Sequence, residues 1–99
     1  EPEEIERCLA GHPAVETARV VGVDGGQGSV AVAFVTRRGG ASAASEELLD
    51  HCRAELAPYK VPTRLVVLDE FPLTSGTNGA KILTTELRRR AAAMLEEAR

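Results

Sequence analysis

Two runs of β-forming residues flank a cluster that cannot continue a strand, and this pairing constrains the fold more than any other feature. Residues 17–23 (TARVVGV) and 29–35 (SVAVAFV) are rich in valine and either alternate or stay apolar throughout. Between them stands Asp24-Gly25-Gly26-Gln27-Gly28, whose three glycines reach positive φ at little cost. The spacing predicts an antiparallel hairpin. A hairpin is not stable alone in water, so the rest of the chain has to supply a further strand and helices to cover it.

The remaining segments fit that need. Pro2 suits a first helical turn and Glu3 and Glu4 its positive end, with Ile5, Cys8 and Leu9 on one stripe. Gly11 is expected to end this helix in the left-handed conformation. After an Arg37-Arg38-Gly39-Gly40-Ala41-Ser42 loop, Ser45 is expected to cap a second helix with Leu48, Leu49, Cys52 and Leu56 on its apolar face. Pro58 stops it, and Pro58 and Pro62 bracket a rigid extended connection in which Tyr59 and Val61 offer packing surface and Lys60 is offered to a partner. Arg64–Leu68 reads as a third strand. Thr84 or Thr85 is expected to cap a last helix carrying Leu87, Ala91, Met94 and Leu95. The order α-β-β-α-β-α predicts an α+β domain with a three-stranded sheet. With only Phe34, Tyr59 and Phe71 as aromatics, the core has to be aliphatic.

Charge and spacing exclude several function classes. A net charge of −3 with scattered lysines and arginines gives no footprint for nucleic acid, and Arg88-Arg89-Arg90 reads as a solvated helix face beside Glu86. No apolar run approaches the ~18 residues of a membrane span, and no leader pattern is read, so a cytoplasmic protein is expected. Cys8 and Cys52 lack metal-ligand spacing; they read as buried, reduced thiols, and no metal site is expected. His12 reads as a turn residue and His51 as a helix-surface residue, neither with a catalytic partner. Asp69 and Glu70 are adjacent and would point apart on an extended chain, which argues against an acid–base pair. The opening Glu1-Pro2, without Met, is read as the start of a piece of something longer.

The stretch from Pro58 to Arg88 carries the chemistry. It runs Pro58-Tyr59-Lys60-Val61-Pro62, Arg64-Leu65-Val66-Val67-Leu68, Asp69-Glu70-Phe71-Pro72-Leu73-Thr74, and Ser75-Gly76-Thr77-Asn78-Gly79-Ala80, then Lys81-Ile82 and Glu86-Leu87-Arg88. From pattern alone Lys81 is a surface lysine after a turn. Together with Pro2-Glu3-Glu4-Ile5-Glu6, His12-Pro13-Ala14-Val15 and Val20-Val21-Gly22-Val23, however, the order resembles the C-terminal lid of the adenylate-forming enzymes. These comprise the acyl- and aryl-CoA synthetases, peptide-synthetase adenylation domains and luciferases. The sequence departs from the usual pattern in placing Ala80 between Gly79 and Lys81 and in a longer turn. The segment from Thr74 to Lys81 is also similar to the phosphate-binding loop of that superfamily's large domain, but its position after the third strand fits the lid.

The resemblance implies that residues 1–99 form one C-terminal lid whose large N-terminal domain and hinge lie outside this sequence. Lys81 is then the lysine that reaches the carboxylate and the phosphate of ATP, and Gly76, Thr77, Asn78 and Gly79 form the turn beside the nucleotide. It implies ATP with Mg2+ bound mainly by the large domain, and CoA or a carrier-protein phosphopantetheine as acceptor. The partners implied are the large domain, a carboxylic acid and CoA or a carrier protein. The nearest reading is an acyl- or aryl-CoA synthetase, inactive as an isolated lid. The alternatives are a peptide-synthetase adenylation domain, which Lys81-Ile82-Leu83-Thr84-Thr85 fits less well, and a non-catalytic α+β interaction module.

Overall fold

The computed structural model describes residues 2–26, 28–75 and 79–97. The hairpin forms as the sequence predicts: β1 (Val15–Asp24) runs antiparallel to β2 (Ser29–Arg37), with Val21 opposite Val32 and Asp24 opposite Ser29. At its tip the Asp24 carboxylate accepts from the Gly26 N–H (2.9 Å), and Gly26 and Gly28 take φ of 96° and 108°. Gln27 lies outside the described residues.

Strand β3 (Arg64–Leu68) adds to β2 in parallel, Phe34 facing Val66, so the sheet order is β1-β2-β3. A parallel neighbour needs a crossover, and helix α2 (Ser45–Glu55) supplies it. Helix α1 (Pro2–Ala10) lies beside α2 on one face of the sheet, where Leu9, Val15, Val35, Leu48 and Cys52 are fully buried. Helix α3 (Thr84–Glu97) covers the other face, with Leu87 and Ala91 against Val21, Val32, Phe34 and Phe71. Alternation along the strands sorts their residues between these two cores. One outward-facing group on β1 is taken by a side chain: the Val20 N–H donates to the Glu6 carboxylate at 2.8 Å, which removes that donor from strand addition.

Several local expectations are corrected. Gly11 does not take a positive φ; its N–H closes α1 on the Arg7 and Cys8 carbonyls. Ser45 is the first helical residue of α2, and the cap position falls on Ala44, which offers no side-chain acceptor. Thr84 likewise opens α3, with the Leu83 carbonyl accepting from the Leu87 N–H. The connection between the two prolines is not extended throughout, because Pro58–Lys60 is a 3-10 turn. Pro at its first position costs no hydrogen bond there. The sequence reading also omitted two strands: β4 (Leu73–Thr74) and β5 (Lys81–Ile82) form a separate antiparallel ladder between β3 and α3.

Candidate functional site

That short ladder positions Lys81. Leu73 pairs with Ile82 and Thr74 with Lys81, so the two pairs face opposite sides of the ribbon. Ile82 packs against the Val21, Phe34 and Phe71 core and anchors the ribbon to the sheet. The Leu83 N–H adds a bond to the Pro72 carbonyl at 2.8 Å, and the Lys81 N–H meets the Thr74 hydroxyl at 3.4 Å. Lys81 itself is exposed, and its ammonium has no ion-pair partner among the described residues. The lysine is therefore held at its backbone and free at its tip.

The turn that precedes it is described only in part. Gly76, Thr77 and Asn78 of the expected nucleotide-proximal turn lie outside the described residues. Gly79 has φ of 97°, a conformation that a side chain would strain. A cleft of about 520 Å³ opens against the ribbon, lined by Glu16, Arg37, Asp69, Phe71, Leu73 and Ile82. Lys81 is not among its walls, because it faces the other side. Leu73, at 57% exposure, is one of the two large hydrophobics left open to solvent among the described residues.

The other is Tyr59, 84% exposed, which corrects the expectation that it packs; Val61 alone does so. Lys60 lies 5.7 Å from the Tyr59 ring centroid and donates to the Glu4 carboxylate at 2.8 Å, joining the 3-10 turn to α1. That hydrogen bond holds the Glu4 carboxyl below the usual range. On α3, Arg89 and Arg90 both donate to Glu86, at 2.8–2.9 Å, and bring its pKa down to about 2. The arginine run is thus a solvated helix face, as expected.

Two pairings were missed by sequence reasoning. His12 and His51 meet edge to face with centroids 5.1 Å apart. The His12 Nδ1 accepts from the Ala14 N–H at 3.0 Å, which leaves Nε2 to face Glu47 at 3.4 Å, while His51 Nε2 donates to the Cys8 carbonyl at 3.0 Å. Cys8 and Cys52 are also neighbours across the α1–α2 contact. No local signal could have found either pair, since the partners lie 39 and 44 residues apart in the sequence. Among the described residues no group of three or more His, Cys, Asp or Glu could hold a metal ion, and no helix is long and apolar enough to cross a membrane.

Comparison with known proteins bears on the whole arrangement. Residues 4–77 match the family described as the AMP-binding enzyme C-terminal domain. The match stops short of Lys81, so it carries the scaffold and not the lysine. The chain is 43% identical over 88 residues to a 2-succinylbenzoate–CoA ligase of Bacillus cereus, covering 88% of this chain and 17% of that protein. Among solved structures, a fatty acyl CoA synthetase of Mycobacterium tuberculosis aligns over 94% of this chain and 18% of its own, with TM-score 0.76 and 31% identity. ATP-bound MatB from Rhodopseudomonas palustris aligns over 90% and 17%, with TM-score 0.77 and 30% identity. The chain thus spans about a sixth of the length of the relatives it matches.

Proposed function

Because the chain belongs to the family of AMP-binding enzyme C-terminal domains, we propose that it is the mobile lid of an ATP-dependent, AMP-forming acyl- or aryl-CoA ligase. The large domain of that enzyme would bind ATP with Mg2+ and the carboxylic acid; the lid would contribute Lys81. The observation that carries this reading is a cation presented on an anchored two-stranded ribbon, its ammonium unpaired among the described residues. An ammonium with no carboxylate of its own is available to an incoming anion.

The chemistry explains the need. In the first half-reaction a carboxylate oxygen attacks the α-phosphorus of ATP and pyrophosphate leaves; both reactants are anionic and repel each other. An ammonium at ~4 Å, at an effective dielectric of ~20, contributes about 4 kcal/mol before desolvation, enough for two or more decades of rate. Lysine fits because a compact point charge on a flexible stem can follow both oxygens. In the second half-reaction a thiol of CoA attacks the acyl carbonyl and AMP leaves. That step does not drive a carboxylate onto a phosphate, so the lid can rotate Lys81 away and present another surface.

The test uses the full-length ligase. Lys81→Ala should slow pyrophosphate exchange by roughly 10²-fold or more, while single-turnover transfer from preformed adenylate to CoA persists. Lys81→Arg should recover little. Equal losses in both half-reactions, or none in either, would remove Lys81 from the role. Transfer to a carrier protein in preference to CoA would move the reading to the peptide-synthetase class, and the absence of any acid-dependent exchange would favour an interaction module.

A further inference from the structure

We propose that Cys8 and Cys52 form a reversible oxidation site, in which a low-molecular-weight disulfide such as oxidised glutathione converts the two thiols into a bond joining α1 to α2. The inference does not depend on the ligase reading.

The contact between the two helices is pinned at the Cys8 carbonyl, beside the two thiols. His51, next to Cys52 in α2, donates through Nε2 to the carbonyl of Cys8 itself at 3.0 Å, so the Cys8 backbone is tied to the turn that bears Cys52. The His12 ring, packed edge-on against His51 at 5.1 Å, closes the same end of the helix pair. Ile5 and Leu9 on α1 and Leu48 and Leu49 on α2 bury the stripes on which the cysteines lie. Cys8 packs against the core that contains Cys52, which makes the two thiols neighbours across the α1–α2 contact. Both thiols are free in this structure.

The two positions differ in a way that assigns their roles. Cys8 is half-buried and meets solvent, whereas Cys52 is fully buried. The Cys8 thiolate is therefore the one that attacks oxidised glutathione, cleaving its S–S bond and releasing one glutathione thiolate. The Cys52 thiolate then attacks the Cys8 sulfur of the mixed disulfide and releases the second. Two protein thiols are oxidised and one disulfide is reduced to two thiols, so atoms and electrons balance. Burial pushes Cys8 above the usual thiol range, helped by the Glu55 and Glu4 carboxylates, and burial with the neighbouring Cys8 sulfur raises Cys52 to about 12. Thiolate is scarce at neutral pH, and the reaction should be slow there and accelerate as pH rises.

The bond would close the chain from residue 8 to residue 52 around β1 and β2, removing freedom from the unfolded state more than from the folded one. It lies on the sheet face opposite α3 and the Lys81 ribbon, so the oxidised form keeps its lysine surface.

The 99-residue chain should be incubated natively with oxidised glutathione at pH 8 and mapped by peptide mass spectrometry. Wild type should give an internal Cys8–Cys52 disulfide, a Tm raised by roughly 10 °C, and full reversal by dithiothreitol. Cys52→Ala should instead accumulate the glutathione adduct on Cys8, because nothing resolves it, and Cys8→Ala should stay unreacted while folded. Accumulation of the Cys8 adduct in wild type, intermolecular dimers alone, or no reaction until the chain is denatured would each overturn the proposal. The wild-type map decides the matter even where a variant fails to fold.

Discussion

Beneath α1 and α2, Leu9, Val15, Val35, Leu48 and Cys52 are sealed from solvent, and even the polar groups nearby are tied down, Glu6 to Val20 and His51 to Cys8. At the β4–β5 ribbon the balance is reversed. Lys81 and Gly79 are exposed, Leu73 is 57% exposed, and Ile82 is the side chain that reaches the core. One region holds the fold and hardly touches the proposed chemistry; the other presents the chemistry and contributes little burial. Stability and function can therefore be damaged separately.

The largest expected effect tests the sealed region. Leu48→Ala removes a side chain at 0% exposure and leaves a cavity between α2 and the sheet, at a cost of about 2–5 kcal/mol, a large share of what a domain this size possesses. Thermal unfolding should show a Tm drop of ten degrees or more, on the order given by ~4–8 °C per kcal/mol. Lys81→Ala comes next and sharpens the contrast: its ~10²-fold loss in adenylate formation should come with no measurable Tm change, since the side chain is exposed and has no ion-pair partner among the described residues. A variant that lost both together would show that the ribbon belongs to the core.

The same division explains what could be read from the sequence. Arg64–Leu68 was legible to the residue, and the β1–β2 hairpin to within two residues at either end, because long runs bounded by glycine and charged residues carry a clear period. The ribbon was invisible. Two residues a side give no period at all, and only the tertiary anchor of Ile82 makes them strands. Lys81 was therefore identified as a residue but not as part of a ladder. Ser45 and Thr84 failed as caps for a related reason: each is a good capping residue, yet backbone geometry set by the preceding loop moved the helix start onto it. The histidine and cysteine pairs arise wholly from how α1 and α2 dock.

A smaller effect probes the ribbon from its turn. Gly79 has φ of 97° and open space around the position a Cβ would take, so Gly79→Ala meets no clash but strains the backbone by ~1–2 kcal/mol. Because little of the core hangs on the ribbon, this strain should appear as faster hydrogen exchange at the Lys81 amide and slower adenylation, with Tm falling far less than for Leu48→Ala. A Tm loss matching that of Leu48→Ala would contradict the separation of the two regions.

The smallest effect concerns the helix that follows the ribbon, in the first turn of α3. Glu86 follows the ribbon closely, accepts from both Arg89 and Arg90, and lies where the helix N-terminus favours an anion. Its folded pKa of about 2 lies below the ordinary 4.5, so the folded state holds the carboxylate more tightly than the unfolded one. The stabilisation is then fully present above pH ~4.5 and is lost as pH falls from there towards 2. Glu86→Gln removes the charge at every pH. The gap in Tm between wild type and variant should be constant near neutrality, narrow below pH ~4.5, and close by pH ~2. Since both arginines reach solvent and Glu86 is only partly covered, the gap should also shrink in high salt, which screens these contacts. Parallel Tm curves for wild type and variant across this acid range would show that the arginines hold Glu86 without favouring its charged form, and the arginine run would then add nothing to the base on which the ribbon stands.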